Sequence, residues 1–240
     1  LRKKYKITES DFLSAELEVV PAGPAREVGF DRSLIAGYGQ DDRICAYTAL
    51  RAILDAEPTD NTLVVMLVDK EEIGSDGNTG AKSSFIKQVI KRIFLEKEGH
   101  VDMIDIEDCL YHSSAISSDV NGALDPDWKE VHEERNAAKL GFGVCLTKFT
   151  GARGKSGASD ANAEYVARLR QILNANNVAW QTGELGKVDE GGGGTIAKYL
   201  AEYGMEVIDM GPALLSMHAP MELSSKIDVW FAYQAYKVFL

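Results

Sequence analysis

Two adjacent carboxylates, Glu71 and Glu72, are the residues in this sequence whose type and spacing first suggest chemistry. They end the apolar run Val64-Val65-Met66-Leu67-Val68 and stand just before Ile73-Gly74-Ser75. Such a pair allows a division of labour, in which one carboxylate holds a metal ion and the other moves a proton. Further groups of the same kind are Asp41 beside Asp42, then Asp119, then His218. Of the four histidines, His100 and His132 lie among charges and read as exposed, and His112 is ambiguous near a helix end. His218 follows Leu214-Leu215-Ser216-Met217 and precedes Ala219-Pro220, an apolar setting that limits water access. Carboxylate oxygens with one imidazole suit zinc, manganese or cobalt. A bridging carboxylate would hold two ions about 3.5–4 Å apart and bring the pKa of a bound water from about 15.7 towards about 7. A neighbouring carboxylate would then take its proton.

These groups need elements to carry them to one place. The apolar run at 62–68 has no alternation, which predicts a strand buried on both faces, with the glutamates at its carboxyl end. Asp41 or Asp42 is the expected N-cap of a helix carrying Ile44, Leu50, Ile53 and Leu54. A cap needs only one of them, so the second carboxylate hints at a charge partner. Helices are expected over 81–97, 160–173 and 195–203, with a last helix capped by Ser224. Strands are expected at 115–120, 143–147, 178–181, 205–208 and 213–217. This alternation predicts an α/β fold, a three-layer α/β/α sandwich with a mixed, largely parallel sheet. Residues 13–20 alternate apolar and polar at period two, which reads as an antiparallel strand of a small subdomain.

Composition excludes several classes. With 37 Asp and Glu against 26 Lys and Arg, the net charge is −11, contrary to nucleic-acid binding and to an anionic membrane surface. No apolar run approaches the roughly 18 residues of a membrane span. Cys45, Cys109 and Cys145 are odd in number and far apart, which fits a reducing cytoplasm better than a disulfide framework. The basic start Leu1-Arg2-Lys3-Lys4 has neither an initiator methionine nor the apolar segment of a signal peptide. Gly154-Lys155-Ser156 suggests a phosphate loop, but the position five residues before Gly154 is Phe149 instead of glycine. The run Gly191-Gly192-Gly193-Gly194 allows a ligand to approach the backbone closely. Gly192, Gly193 and Lys155 are the substrate-binding candidates, and Lys148, Arg153 and Lys187 are further cations for an acidic substrate.

Four ordered motifs carry a family resemblance: Tyr38-Gly39-Gln40-Asp41-Asp42-Arg43, Asp69-Lys70-Glu71-Glu72-Ile73-Gly74-Ser75, Ile116-Ser117-Ser118-Asp119-Val120 and Leu215-Ser216-Met217-His218-Ala219-Pro220. Together they resemble the aspartyl aminopeptidase family of two-zinc exopeptidases, over essentially the whole chain. The resemblance implies that Asp41 bridges two zinc ions, that Glu72 and His218 complete one site, and that Asp119 holds the other. Glu71 would be the general base, with Co2+ or Mn2+ as alternative ions and peptides as substrates. It also implies a homo-oligomer, a dodecamer in the family. Residues 1–36 would be the tail of a β-rich dimerisation domain and 37–240 the catalytic domain. The family's further histidine ligand lies upstream of the Asp-Asp turn, and no histidine precedes Asp41 here. The chain is therefore expected to be the C-terminal part of a larger enzyme. The competing expectation is a catalytically incomplete metal-binding fragment or assembly piece, and a weaker one is a related amidase or deacetylase.

Overall fold

The computed structural model describes residues 1–187 and 189–240. The chain opens with two short exposed helices, α1 (Arg2–Tyr5) and α2 (Glu9–Leu13), and then runs without regular structure to 25. A hairpin follows, β1 (Arg26–Val28) and β2 (Leu34–Gly37), leading into α3 (Gln40–Leu54). A 3-10 turn at Glu71–Ile73 precedes α4 (Phe85–Glu98) and α5 (Met103–Tyr111). Then come β3 (Ser114–Ser117), β4 (Asn121–Gly122), β5 (Val144–Thr147), β6 (Phe149–Ala152), β7 (Ser156–Asp160) and α6 (Ala163–Ala175). The remainder is β8 (Trp180–Thr182), β9 (Gly192–Gly193), α7 (Ala197–Ala201), β10 (Glu206–Gly211), β11 (Ala213–Leu215), β12 (Glu222–Ser225) and α8 (Lys226–Phe239).

Local chemistry sets several boundaries. Asn162 accepts a hydrogen bond from the Tyr165 N–H at 2.7 Å and starts α6, whose Leu169 and Leu173 then fall on one buried face. Asp102 and Asp105 form a reciprocal capping box on α5. Alternation along β10 separates two packed layers. Val207 packs with Ala197 and Leu200 of α7, whereas Ile208 and Met210 join a larger core with Cys45, Ala52, Leu169, Leu173, Ala232 and Tyr236. Helices thus cover both faces of this sheet, as the α/β expectation required.

The described residues form three sheets. One runs β3-β10-β5-β8, with parallel, antiparallel and parallel neighbours in turn. A second runs β1-β2-β12-β11-β4, antiparallel except for β11 against β4. A third, β7-β6-β9, is antiparallel. In the helix-covered sheet two of the three pairings are parallel, as expected of a mixed, largely parallel sheet, while the antiparallel pairings of the described residues lie mostly in the other two sheets.

Four local expectations are corrected. Residues 62–68 form no strand, and Val64 and Leu67 are 47% and 59% exposed. An apolar run becomes a doubly buried strand only where neighbours pair with it and cover it, and none of the described residues does so here. Residues 13–20 form no strand either, and the hairpin strand β2 pairs instead with β12 (Leu223 opposite Ala36). The last helix is capped at Ser225, because Ser224 still belongs to β12 and donates its hydroxyl to Gln40 Oε1 at 2.5 Å. His132 is half-buried rather than exposed.

Candidate metal centre

Four segments bring the predicted ligands together. β2 delivers Gln40-Asp41-Asp42 to the start of α3, where Asp42 Oδ1 accepts the Cys45 N–H at 2.9 Å and caps the helix. Glu71 and Glu72 occupy consecutive positions of the 3-10 turn, which Lys70 and Gly74, both with positive φ, close at its two ends. A turn of three residues per revolution sends neighbouring side chains in different directions, which separates the two carboxylates. Asp119 follows the end of β3, two residues beyond Ser117. His218 lies beyond β11 with φ 65°, and its side chain is 62% exposed to the cleft, so the dry setting expected for it is not found.

His218 Nε2 is 2.8 Å from Asp41 Oδ2 and 3.2 Å from Glu72 Oε2. The ligand atoms of Asp41, Glu72 and His218 all lie within 4.8 Å of one another, as do those of Asp41, Asp42 and Asp119. Asp41 belongs to both groups, and its side chain is 5% exposed. Burial, with Glu72 and Asp42 adding to it, pushes the Asp41 carboxyl up to about 7 despite the lowering influence of His218. Asp42 is raised to about 6 by burial, partly offset by the Cys45 N–H. Burial and then Asp42, Asp41 and Glu71 hold Asp119 well above the ordinary carboxylate range. Glu71 is raised by burial and then by Glu72. No described lysine or arginine forms an ion pair with any of these five carboxylates. Converging acids with one imidazole and no organic cation are a donor set that fits divalent metal.

A buried residue that sequence reasoning missed holds the candidate ligands in place. Glu222 of β12 accepts backbone N–H groups from Gln40 at 2.5 Å, Asp41 at 3.2 Å and His218 at 2.9 Å. Gln40 in turn donates its side-chain amide to the Glu222 carbonyl at 2.7 Å. The available sequence signal was a lone acid in a short strand four residues past His218. Asp209 of β10 was also missed. It is buried, accepts the Ser117 hydroxyl at 2.5 Å and lines the cleft, and burial raises it to about 7 against the hydroxyls of Ser117 and Thr195.

The cleft has a volume of about 480 Å³. Asp41, Glu71, Glu72, Asp119 and His218 line one end, and Gly192, Gly193 and Thr195 line another part. Lys155 sits on the exposed turn between β6 and β7, away from the lining. The same hairpin turn explains why Gly154-Lys155-Ser156 is no phosphate loop. Lys148 is paired with Asp160 and Arg153 is exposed, both outside the lining, whereas Lys187 reaches the cleft but is 3.4 Å from Glu190.

Comparison with known proteins places the chain in a family. Residues 1–240 match the family model described as aminopeptidase I zinc metalloprotease (M18). A probable M18 family aminopeptidase 1 from Clostridium acetobutylicum is 55% identical over 240 residues, all of this chain and 51% of that protein. The namesake from Thermotoga maritima is 57% identical over 238 residues, 99% of this chain and 52% of that protein. The crystal structure of an M18 aminopeptidase from Thermotoga maritima superposes with a TM-score of 0.95 at 56% identity, covering 99% of this chain and 52% of that one. The chain spans about half the length of the relatives it matches. It belongs to the aminopeptidase I zinc metalloprotease (M18) family.

Proposed function

We propose that this protein is a metal-dependent aminopeptidase that releases N-terminal residues from peptides, with Glu71 as general base. The observation that carries the reading is the placement of Glu71 in one cleft with two carboxylate-rich ligand groups that share Asp41. In the reading, Asp41, Glu72 and His218 hold one zinc ion, and Asp41 with Asp119 holds a second, Co2+ or Mn2+ being able to substitute. Zinc bound there would supply Lewis-acid polarisation of the peptide carbonyl and a more acidic water. Glu71, already raised by burial, is suited to take the proton of the attacking water and pass it to the leaving amine. The backbone of Gly192 and Gly193 is the surface on which the peptide would lie, since no side chain stands between it and the cleft.

Glu71→Gln should lower turnover of aminoacyl amides by about 10²–10⁴-fold while bound metal is unchanged. Full activity in that variant would remove Glu71 from the role. Zinc loss with activity retained would instead remove the metal from the reaction.

A second reading, a metal-binding or assembly piece without turnover, is favoured by one observation: the Asp41–Asp119 side of the centre contains no imidazole among the described residues. Metal binding with no hydrolysis of any aminoacyl amide or N-acyl substrate would select it. Residues 1–36 are assigned to the edge of a β-rich dimerisation module, supported by the exposed Leu13, Leu17 and Val19. Homo-oligomer formation is supported by exposed Tyr47, Leu54 and Trp230 on the packed α3 and α8. The free thiols of Cys45, Cys109 and Cys145 fit a cytoplasmic location, and no helix is long and apolar enough to cross a membrane.

A further inference from the structure

Beyond the metal groups, the cleft has a second polar wall. Asp209 of β10 lies opposite Ser117 of β3 and Thr147 of β5, so their side chains stand in a row on one face of the helix-covered sheet. Alternation along β10 puts that row on the α7 side with Val207, away from Ile208 and Met210. Ser117 donates its hydroxyl to Asp209 at 2.5 Å, and Asn121 donates its amide to the Thr147 hydroxyl at 2.8 Å. Asp209, Thr147, Asn121 and Thr150 all line the cleft.

No cation answers the charge of this wall. Asp209 is 5% exposed and is met by the neutral hydroxyls of Ser117 and Thr195, but no described lysine or arginine forms an ion pair with it. Of the two lysines on the lining, Lys187 is 3.4 Å from Glu190, and Lys198 Nζ lies over the Tyr199 ring, 5.8 Å from its centroid. Asn121 Oδ1 and Thr150 Oγ1 are also buried without a hydrogen-bond partner. A buried carboxylate beside unpartnered oxygens is costly until a cation with several N–H donors reaches it. Asp209 belongs to neither three-donor ligand group, so an ion at the metal centre does not supply that charge. Nor does the substrate's α-ammonium, which is bonded next to the reacting carbonyl and falls among the carboxylates of the centre. The cation lacking at Asp209 is one carried further out, on a side chain.

We propose that Asp209, with Thr147 and Asn121, forms the subsite for the side chain of the released residue and selects lysine or arginine. The inference rests on the aminopeptidase reading above and names the substrate class which that reading left open. An aspartyl or glutamyl side chain would meet a like charge there, and an aliphatic one would leave the buried acceptors unpaired.

The test uses the full chain loaded with zinc. Calorimetry compares L-lysinol with L-norleucinol, amino alcohols of the same carbon skeleton of which only the first carries a side-chain ammonium. Lysinol should bind at least about tenfold tighter, and Asp209→Asn should abolish the difference while zinc content and norleucinol affinity stay unchanged. Asparagine keeps an oxygen for the Ser117 hydroxyl, and circular dichroism reports whether the fold survives. If Asp209→Asn does not fold, the affinity ratio of the unsubstituted chain decides alone: about tenfold or more supports the proposal and less overturns it. A preference that survives in folded Asp209→Asn would also overturn it. So would an equal loss of both alcohols, which marks contact with the α-amine or general distortion. Turnover of lysyl, norleucyl and aspartyl p-nitroanilides separates this proposal from the reading beneath it. Preference for lysyl supports both, whereas turnover without that preference rejects the subsite and leaves the aminopeptidase standing. Lysinol discrimination without any turnover supports the subsite and rejects catalysis, and neither binding nor turnover rejects both.

Discussion

Three backbone N–H groups converge on one buried carboxylate, and that convergence makes Glu222 the residue on which ligand geometry depends. Truncation to alanine leaves the amides of Gln40, Asp41 and His218 without their acceptor in a closed interior, at about 1–3 kcal/mol each where water cannot replace it. Glu222→Ala should therefore lower the melting temperature and weaken zinc binding at least about tenfold in chelator competition, with Glu222→Gln intermediate because it keeps one acceptor oxygen. Unchanged zinc affinity in the alanine variant would show that the clamp does not position the ligands. The candidate residues Asp41, Glu71, Glu72, Asp119 and His218, which the sequence singles out by side-chain chemistry, do meet in one cleft. Glu222 was not legible in the sequence, because it acts on backbone amides contributed by residues far away in sequence.

Among the elements, the glycine run is constrained more by its neighbours than by its own flexibility. Gly192 has φ 106°, and a Cβ there would lie 2.0 Å from the Gly151 carbonyl oxygen across the β6–β9 pairing. Gly192→Ala should push β9 off β6 and reshape the side of the cleft proposed to bind the peptide. The expected signature is a raised KM, or weaker binding of an amino-acid analogue, with zinc stoichiometry intact. Loss of zinc in that variant would mean that the run supports the metal centre instead. Element reading from the sequence succeeded where periodicity was strong, as in α6 with Leu169 and Leu173, although the helix starts after the Asn162 cap instead of at Asp160. It failed at 62–68, where apolar composition was taken for burial, and at 13–20, where alternation was taken for pairing. Both depend on what lies alongside, which a single stretch of sequence does not contain. The two-residue strands β4 and β9 carry too little pattern to be seen in advance.

For the whole molecule, the carboxylate cluster sets a pH dependence whose sign can be worked out. Burial raises Asp209 to about 7, and Asp41 and Asp42 rise to about 7 and about 6, from an ordinary value of 3.8. The folded state thus binds protons more tightly than the unfolded chain. The stabilisation is fully present below about 3.8 and is lost as pH rises through about 6–7. The metal-free chain should melt at least about 5 °C higher at pH 5 than at pH 8 in calorimetry. Zinc should reverse the slope, because protons then compete with the cation for the same oxygens. A metal-free chain more stable at pH 8 would contradict the assigned burial of these acids.

The bond from the Gln40 N–H to Glu222 joins residues 182 positions apart. No segment emerging early in synthesis can contain both sides of the centre, and closing so long a loop is an entropic cost met late in folding. On the proposed metal-centre reading, ion binding would therefore require both of these distant segments to be in place, and a captured ion would mark their closure. Partly made or misassembled copies would scavenge little zinc, and the ion's arrival would lock together the two sequence-distant halves that created its site.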